Sequence, residues 1–136
     1  MSVKEFVNTS MVIMVQSQIN NASKPTMKKM EEAYNKYLPC LPRIYAKDGF
    51  NISVQCRNGN YCASENGTRT FGFDWKLVEW GFPSEPIDGK KYNAEEEENT
   101  TETVGGYVPM EDIEFLIKEH GGFDLETTLK MSVSEE

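Results

Sequence analysis

A chain of 136 residues can bury a sizeable core without disulfides or a structural metal, and it is expected to form one domain over residues 1–136. Its 22 acidic against 14 basic side chains give a formal charge of −8, which argues against direct nucleic-acid binding because phosphate backbones require a basic surface. Three cysteines without C-x-x-C spacing, no secretory leader and no run of about 18 apolar residues point to reduced thiols in a cytosol and to no membrane association.

The N-terminal part, residues 2–38, reads as helical. Ser2 can cap a first helix over residues 2–21, with Glu5 completing a capping box, and Val3, Phe6, Val7, Met11 and Met14 recur at helical spacing. Val12, Ile13 and Val15 are β-branched and make a strand at residues 11–15 the rival. Pro25 suits the first position of a second helix, which would bury Met27, Met30, Tyr34, Tyr37 and Leu38 until Pro39 and Pro42 stop it.

A sheet is expected over residues 43–83. Asp48-Gly49 and Asn58-Gly59 are type I′ hairpin signals, and between them Phe50, Ile52, Val54 and Cys56 alternate with Asn51, Ser53, Gln55 and Arg57. Asn60 to Ala63 then leaves the second turn as a short strand, and residues 64–70 read as a loop. In residues 73–82 large apolar groups fall at both odd and even positions, so the strand is expected to be central and covered by a helix on one side. Residues 84–103 are acidic and polar and read as a mobile loop. Tyr107 and Val108 then offer an edge strand, Pro109 opens a helix over residues 109–120, and residues 123–131 form a last short element. The fold class is α+β: an antiparallel sheet of three to five strands packed on one face by two or three helices.

The ordered segments LPRIYAKDGFNISVQ, NYCAS, KLVEWGFPSEP and TVGGYVPMEDIEFLIKEHGG resemble a family of small proteins encoded in tailed-phage genomes. The resemblance spans residues 41–122 and includes no catalytic signature. In that family the pair matching Tyr61 and Cys62 is followed by Pro-Arg, where this chain has Ala63, Ser64 and Glu65; Arg57 or Arg69 would have to stand in. The resemblance implies a phage accessory protein acting in the host cytoplasm.

Four sets of residues could carry function. Ser53, Gln55 and Arg57, with Tyr61 across the Asn58-Gly59 turn, would converge above one sheet face and could hold a nucleotide or a peptide carbonyl. Trp75, Trp80, Phe82 and Tyr107 would supply stacking surface. The competing reading is a solvated face with core aromatics. Glu95, Glu96, Glu97 and Glu98 could dock on a basic groove of a host protein, although such a run is commonly a solvated loop. Cys62 with His120 is the pairing that would make a cysteine nucleophile, and Cys56, Cys62 and His120 the weak metal-ligand alternative. No cofactor is expected. The favoured function is a non-enzymatic phage protein that binds and inhibits a host factor, such as a bacterial defence component. A nucleotide-sequestering protein and a cysteine-dependent enzyme are the alternatives. The Tyr107 edge leaves homo-oligomer formation open.

Overall fold

The computed structural model describes residues 1–19, 24–95 and 99–134. Helix α1 (Val3–Ser17) starts where its cap predicts: the Ser2 hydroxyl accepts from the Glu5 amide, and the Glu5 carboxylate accepts from the Ser2 amide. Val3, Phe6, Val7, Met11 and Val15 form its buried stripe, and the rival strand does not form. Helix α2 (Met27–Tyr34) is shorter than the sequence suggests. Thr26 caps it and Met27 is its first residue, so Pro25 stands before the helix rather than at its first position, and the helix ends before Tyr37, which is 86% exposed; Met30, Tyr34 and Leu38 are the stripe members that reach the core.

The strands are β1 (Ile44–Tyr45), β2 (Asn51–Gln55), β3 (Ala63–Ser64), β4 (Gly67–Thr68), β5 (Trp75–Gly81) and β6 (Val104–Pro109). All pair antiparallel in the order β1-β2-β5-β3-β4, with β6 on β5 as well. Helices α3 (Met110–Glu119) and α4 (Leu125–Ser134) complete an α+β fold in which helices pack against an antiparallel sheet. The buried apolar residues of α1, α2, α3 and the sheet form one cluster. α4 closes the β1 edge: Asp124 N–H donates to the Tyr45 carbonyl (2.8 Å), and Tyr45 N–H to Thr128 Oγ1 (3.0 Å).

Four expectations change. Neither Asx-Gly pair makes a type I′ turn, because Gly49 (φ 97°) and Gly59 (φ 96°) take positive φ while Asp48 and Asn58 do not. The chain leaving Asn58-Gly59 does not pair with β2; β3 pairs instead with β5 and β4, so residues 63–68 form a small hairpin where a loop is expected from residue 64. In β5 the register shifts between Trp75 and Leu77, which brings Trp75 into phase with Val78 and Trp80; all three are buried, and Lys76 is exposed. The acidic segment is anchored, since Tyr92 is buried, the Trp80 indole N–H donates to its carbonyl (2.7 Å), and Glu95 N–H donates to the Val104 carbonyl (2.9 Å).

Two polar features of this frame can be tested. The buried Tyr34 hydroxyl donates to the Cys56 carbonyl at 2.9 Å, and burial pushes its own ionisation far up. Tyr34→Phe should cost about 1–3 kcal/mol in urea unfolding, because a buried carbonyl is left unpaired. Three aspartates hold local structure and have lowered pKa values. Asp48 accepts from Phe50 N–H and lies against His120, Asp74 pairs with Lys76, and Asp124 caps α4 through Thr127. A carboxyl whose folded pKa lies below its unfolded value stabilises above the ordinary range of about 4 and stops doing so as pH falls through the lowered value. The urea midpoint should therefore fall below about pH 4, with a shallower fall in Asp124→Asn.

Candidate functional site

Alternation along β2 sends Ile52, Val54 and Cys56, all fully buried, to the core, and Ser53, Gln55 and Arg57 to the opposite face. That opposite face is roofed rather than flat. At one end the connector after α2 lies over it, clamped by Gln55: Oε1 accepts from Leu41 N–H (2.8 Å) and Nε2 donates to the Leu41 carbonyl (3.1 Å) and to Ser53 Oγ (3.0 Å). The Gln55 amide is therefore a buried structural group, contrary to its expected role as a ligand contact. Arg57 is half committed. Its Nη1 donates to the Leu38 carbonyl at 2.8 Å, while Nε is buried without a partner.

At the other end the loop after β2 crosses the face. Arg57 N–H donates to Asn60 Oδ1 (2.9 Å), and Asn60 Nδ2 donates to Glu79 Oε2. Tyr61 then reaches β6, where its carbonyl accepts from Tyr107 N–H at 2.9 Å. This bond follows from a second register shift. Between the Val78–Val108 and Trp80–Gly105 pairs, Glu79 alone faces two residues, Gly106 and Tyr107. Tyr107 takes φ 52°, an outlier for a bulky side chain, and Asn93 Nδ2 holds the Gly106 carbonyl at 2.6 Å. Position 106 has to be glycine: a Cβ there would come within 2.5 Å of Tyr61 Cβ.

Between the two roofs lies a cleft of about 190 Å³. It brings together Ser53, Gln55, Arg57, Trp80 and Phe82 of the expected residues and adds Cys40, Asn60, Glu79, Gly81 and Val104. Trp80 borders the cleft, but its indole is 1% exposed and bonded to Tyr92, so it offers no stacking face; Trp75 is likewise buried. Tyr61 and Tyr107 stand outside the cleft, beyond Asn60, and stack on each other with centroids 5.7 Å apart and planes 27° from parallel. Arg69 lies over the Tyr61 ring at 5.2 Å. Phe82, at the cleft, is 53% exposed with φ 51°; its N–H donates to the Thr103 carbonyl (3.0 Å), and its carbonyl accepts from Arg43 Nη2.

Sequence reasoning missed Glu79 and Asn60. Glu79 was visible as the polar position between Val78 and Trp80, but a two-sided apolar reading of β5 hid its face. Glu95 is exposed, whereas Glu96, Glu97 and Glu98 lie outside the described residues.

The Cys62–His120 pair does not assemble. Cys62 is buried beside the Tyr34 hydroxyl (3.9 Å), and burial pushes its thiol up to about 11. His120 sits elsewhere, with Nδ1 2.7 Å from Asp48 Oδ2 and its ring 4.1 Å from the Phe50 ring. Among the described residues no group of three His, Cys, Asp or Glu side chains could hold a metal ion. No helix there is long and apolar enough to cross a membrane.

Comparison of the chain with protein-family models, curated proteins and solved structures finds no significant match.

Cys40 is exposed, whereas Cys56 and Cys62 are buried with raised pKa values. Native protein treated with iodoacetamide near pH 7.5 should take up one label per chain, at Cys40, by mass spectrometry. Labelling of Cys62 at a comparable rate would contradict this placement.

Proposed function

We propose that the protein is a non-enzymatic phage accessory protein that binds and inhibits a host protein, docking it on the Tyr61–Tyr107 stack and the Arg69 guanidinium. The phage setting rests on the ordered motifs DGFNISVQ, YC, VEWGFPS and GYVP. The docking reading rests on one observation: an exposed aromatic pair held in place by strained backbone. A left-handed conformation at a bulky residue costs about 1–3 kcal/mol, and such strain concentrates at functional sites. Tyr61 is 40% and Tyr107 38% exposed, so burial of their rings in the core does not repay that cost.

Tyrosine and arginine are the side chains that most often dominate protein interfaces, because a rigid ring or a planar fork gives contact area at little entropic cost. The charge of −8 favours a partner with a basic face, which it would steer into encounter. A component of bacterial defence is the class of target that the phage setting suggests. The buried Cys62, with its raised thiol, supports a reading without covalent catalysis. The cleft volume weighs against the nucleotide alternative: about 190 Å³ falls short of the roughly 300–1,000 Å³ of pockets that enclose drug-sized ligands.

The test compares Tyr61→Ala and Tyr107→Gly with the parent protein in affinity purification from host lysate, followed by an assay of whatever is retained. Tyr107→Gly is informative because glycine accepts φ 52° without strain, so stability should hold or rise by up to about 1 kcal/mol while the ring is lost. One host protein should be retained and inhibited by the parent and bound at least about thirtyfold more weakly by each variant. Equal retention by all three would refute the docking reading.

A further inference from the structure

The cleft beside the stack carries its own chemistry, independent of the docking of a host protein. Arg57 and Glu79 border the same 190 Å³ space with opposite charges, yet no ion pair joins them. Each is tied to the protein through one end only. Arg57 Nη1 is spent on the Leu38 carbonyl and Glu79 Oε2 on Asn60, which leaves Arg57 Nη2 and Glu79 Oε1 uncommitted.

Both side chains are only partly buried, and a ligand that enters between them gains charge-assisted hydrogen bonds by pairing with both. A ligand with a single charge would satisfy one and be repelled by the other. A small dipolar molecule with a donor at one end and an acceptor at the other answers both. Beside the polar Ser53, Gln55 and Asn60, the lining has an apolar part that includes Phe82 and Val104. Gly81 keeps that side low, since a Cβ there would meet Val104 Cγ1 at 2.9 Å.

We propose that this cleft binds a free α-amino acid with a short apolar side chain, its ammonium on Glu79, its carboxylate on Arg57 and its side chain against Phe82 and Val104. The volume suits a molecule of that size and is too small for a nucleotide.

The test is an NMR titration of the whole chain with L-valine, and with N-acetyl-L-valine and L-valine amide, each of which lacks one of the two charges. Valine should shift the amide signals of Ser53, Gly81, Phe82 and Val104 saturably. Each blocked analogue should bind at least about tenfold more weakly, because one charge-assisted bond is lost. Glu79→Gln, in which the new amide oxygen can still accept from Asn60, should lose valine binding to a similar degree at an unchanged melting temperature. Absence of a saturable shift, equal binding of the blocked analogues, or full binding by a folded Glu79→Gln would each overturn the proposal. Should that variant fail to fold, the two blocked analogues decide the matter on the parent protein alone. Loss of the Tyr61 or Tyr107 ring should leave this titration unchanged, so failure here is separable from failure of the host-partner reading.

Discussion

The irregularity opposite Glu79 governs the functional face of this protein. Because one residue of β5 faces two of β6, the Tyr107 amide turns out of the ladder and becomes available to the Tyr61 carbonyl. That single bond carries the loop after β2 across the sheet and seats Tyr61 over Gly106. The stack, the position of Asn60 and the orientation of Glu79 all follow. The conformational cost at Tyr107 is offset locally by this hydrogen bond and by Asn93 holding the Gly106 carbonyl.

The opposite roof is built from a different device. Gln55 presents its amide to Leu41 as a backbone group would, one acceptor and one donor, and so ties an irregular proline-flanked connector to a regular strand. Buried backbone groups need partners, and residues around Pro39 and Pro42 have few to offer each other. A side-chain amide is the group that meets both needs at once. What the two roofs leave uncovered is a narrow cleft in which Arg57 and Glu79 each keep part of their hydrogen-bonding capacity in reserve.

Where local chemistry decides, the sequence is legible. The Ser2–Glu5 capping box, the apolar stripe of α1 and the β2 alternation are read from spacing alone, as is the α+β class, and all of them form. Where a distant partner decides, the sequence misleads. Asp48 and Asn58 precede glycine, but their turns need positive φ only at the glycine, so the hairpin geometry differs and β3 is released to pair with β5. Trp75 is out of phase in the sequence and back in phase in the sheet because of a register shift that no alternation pattern encodes. The acidic segment looks unfoldable by composition, yet Tyr92, held by the Trp80 indole, anchors it together with the bonds from Asn93 to Gly106 and from Glu95 to Val104. The same limit applies to the site. Ser53 and Arg57 are legible because alternation places them on one face, whereas the withdrawal of Gln55 and the arrival of Asn60 beside Glu79 depend on segments that cross the sheet, and that crossing also carries Tyr61 out of the expected group and onto Tyr107.

The most direct measurement of this organisation is the solution NMR signature of Gly106 and Tyr107. The geometry predicts Overhauser contacts between the Gly106 Hα protons and the Tyr61 ring, an upfield shift of those protons from the ring current, and a Tyr107 amide protected from exchange. A regular β5–β6 ladder, with Glu79 facing one residue and the Tyr61 ring free of Gly106, would contradict it and remove the basis for both the stack and the cleft.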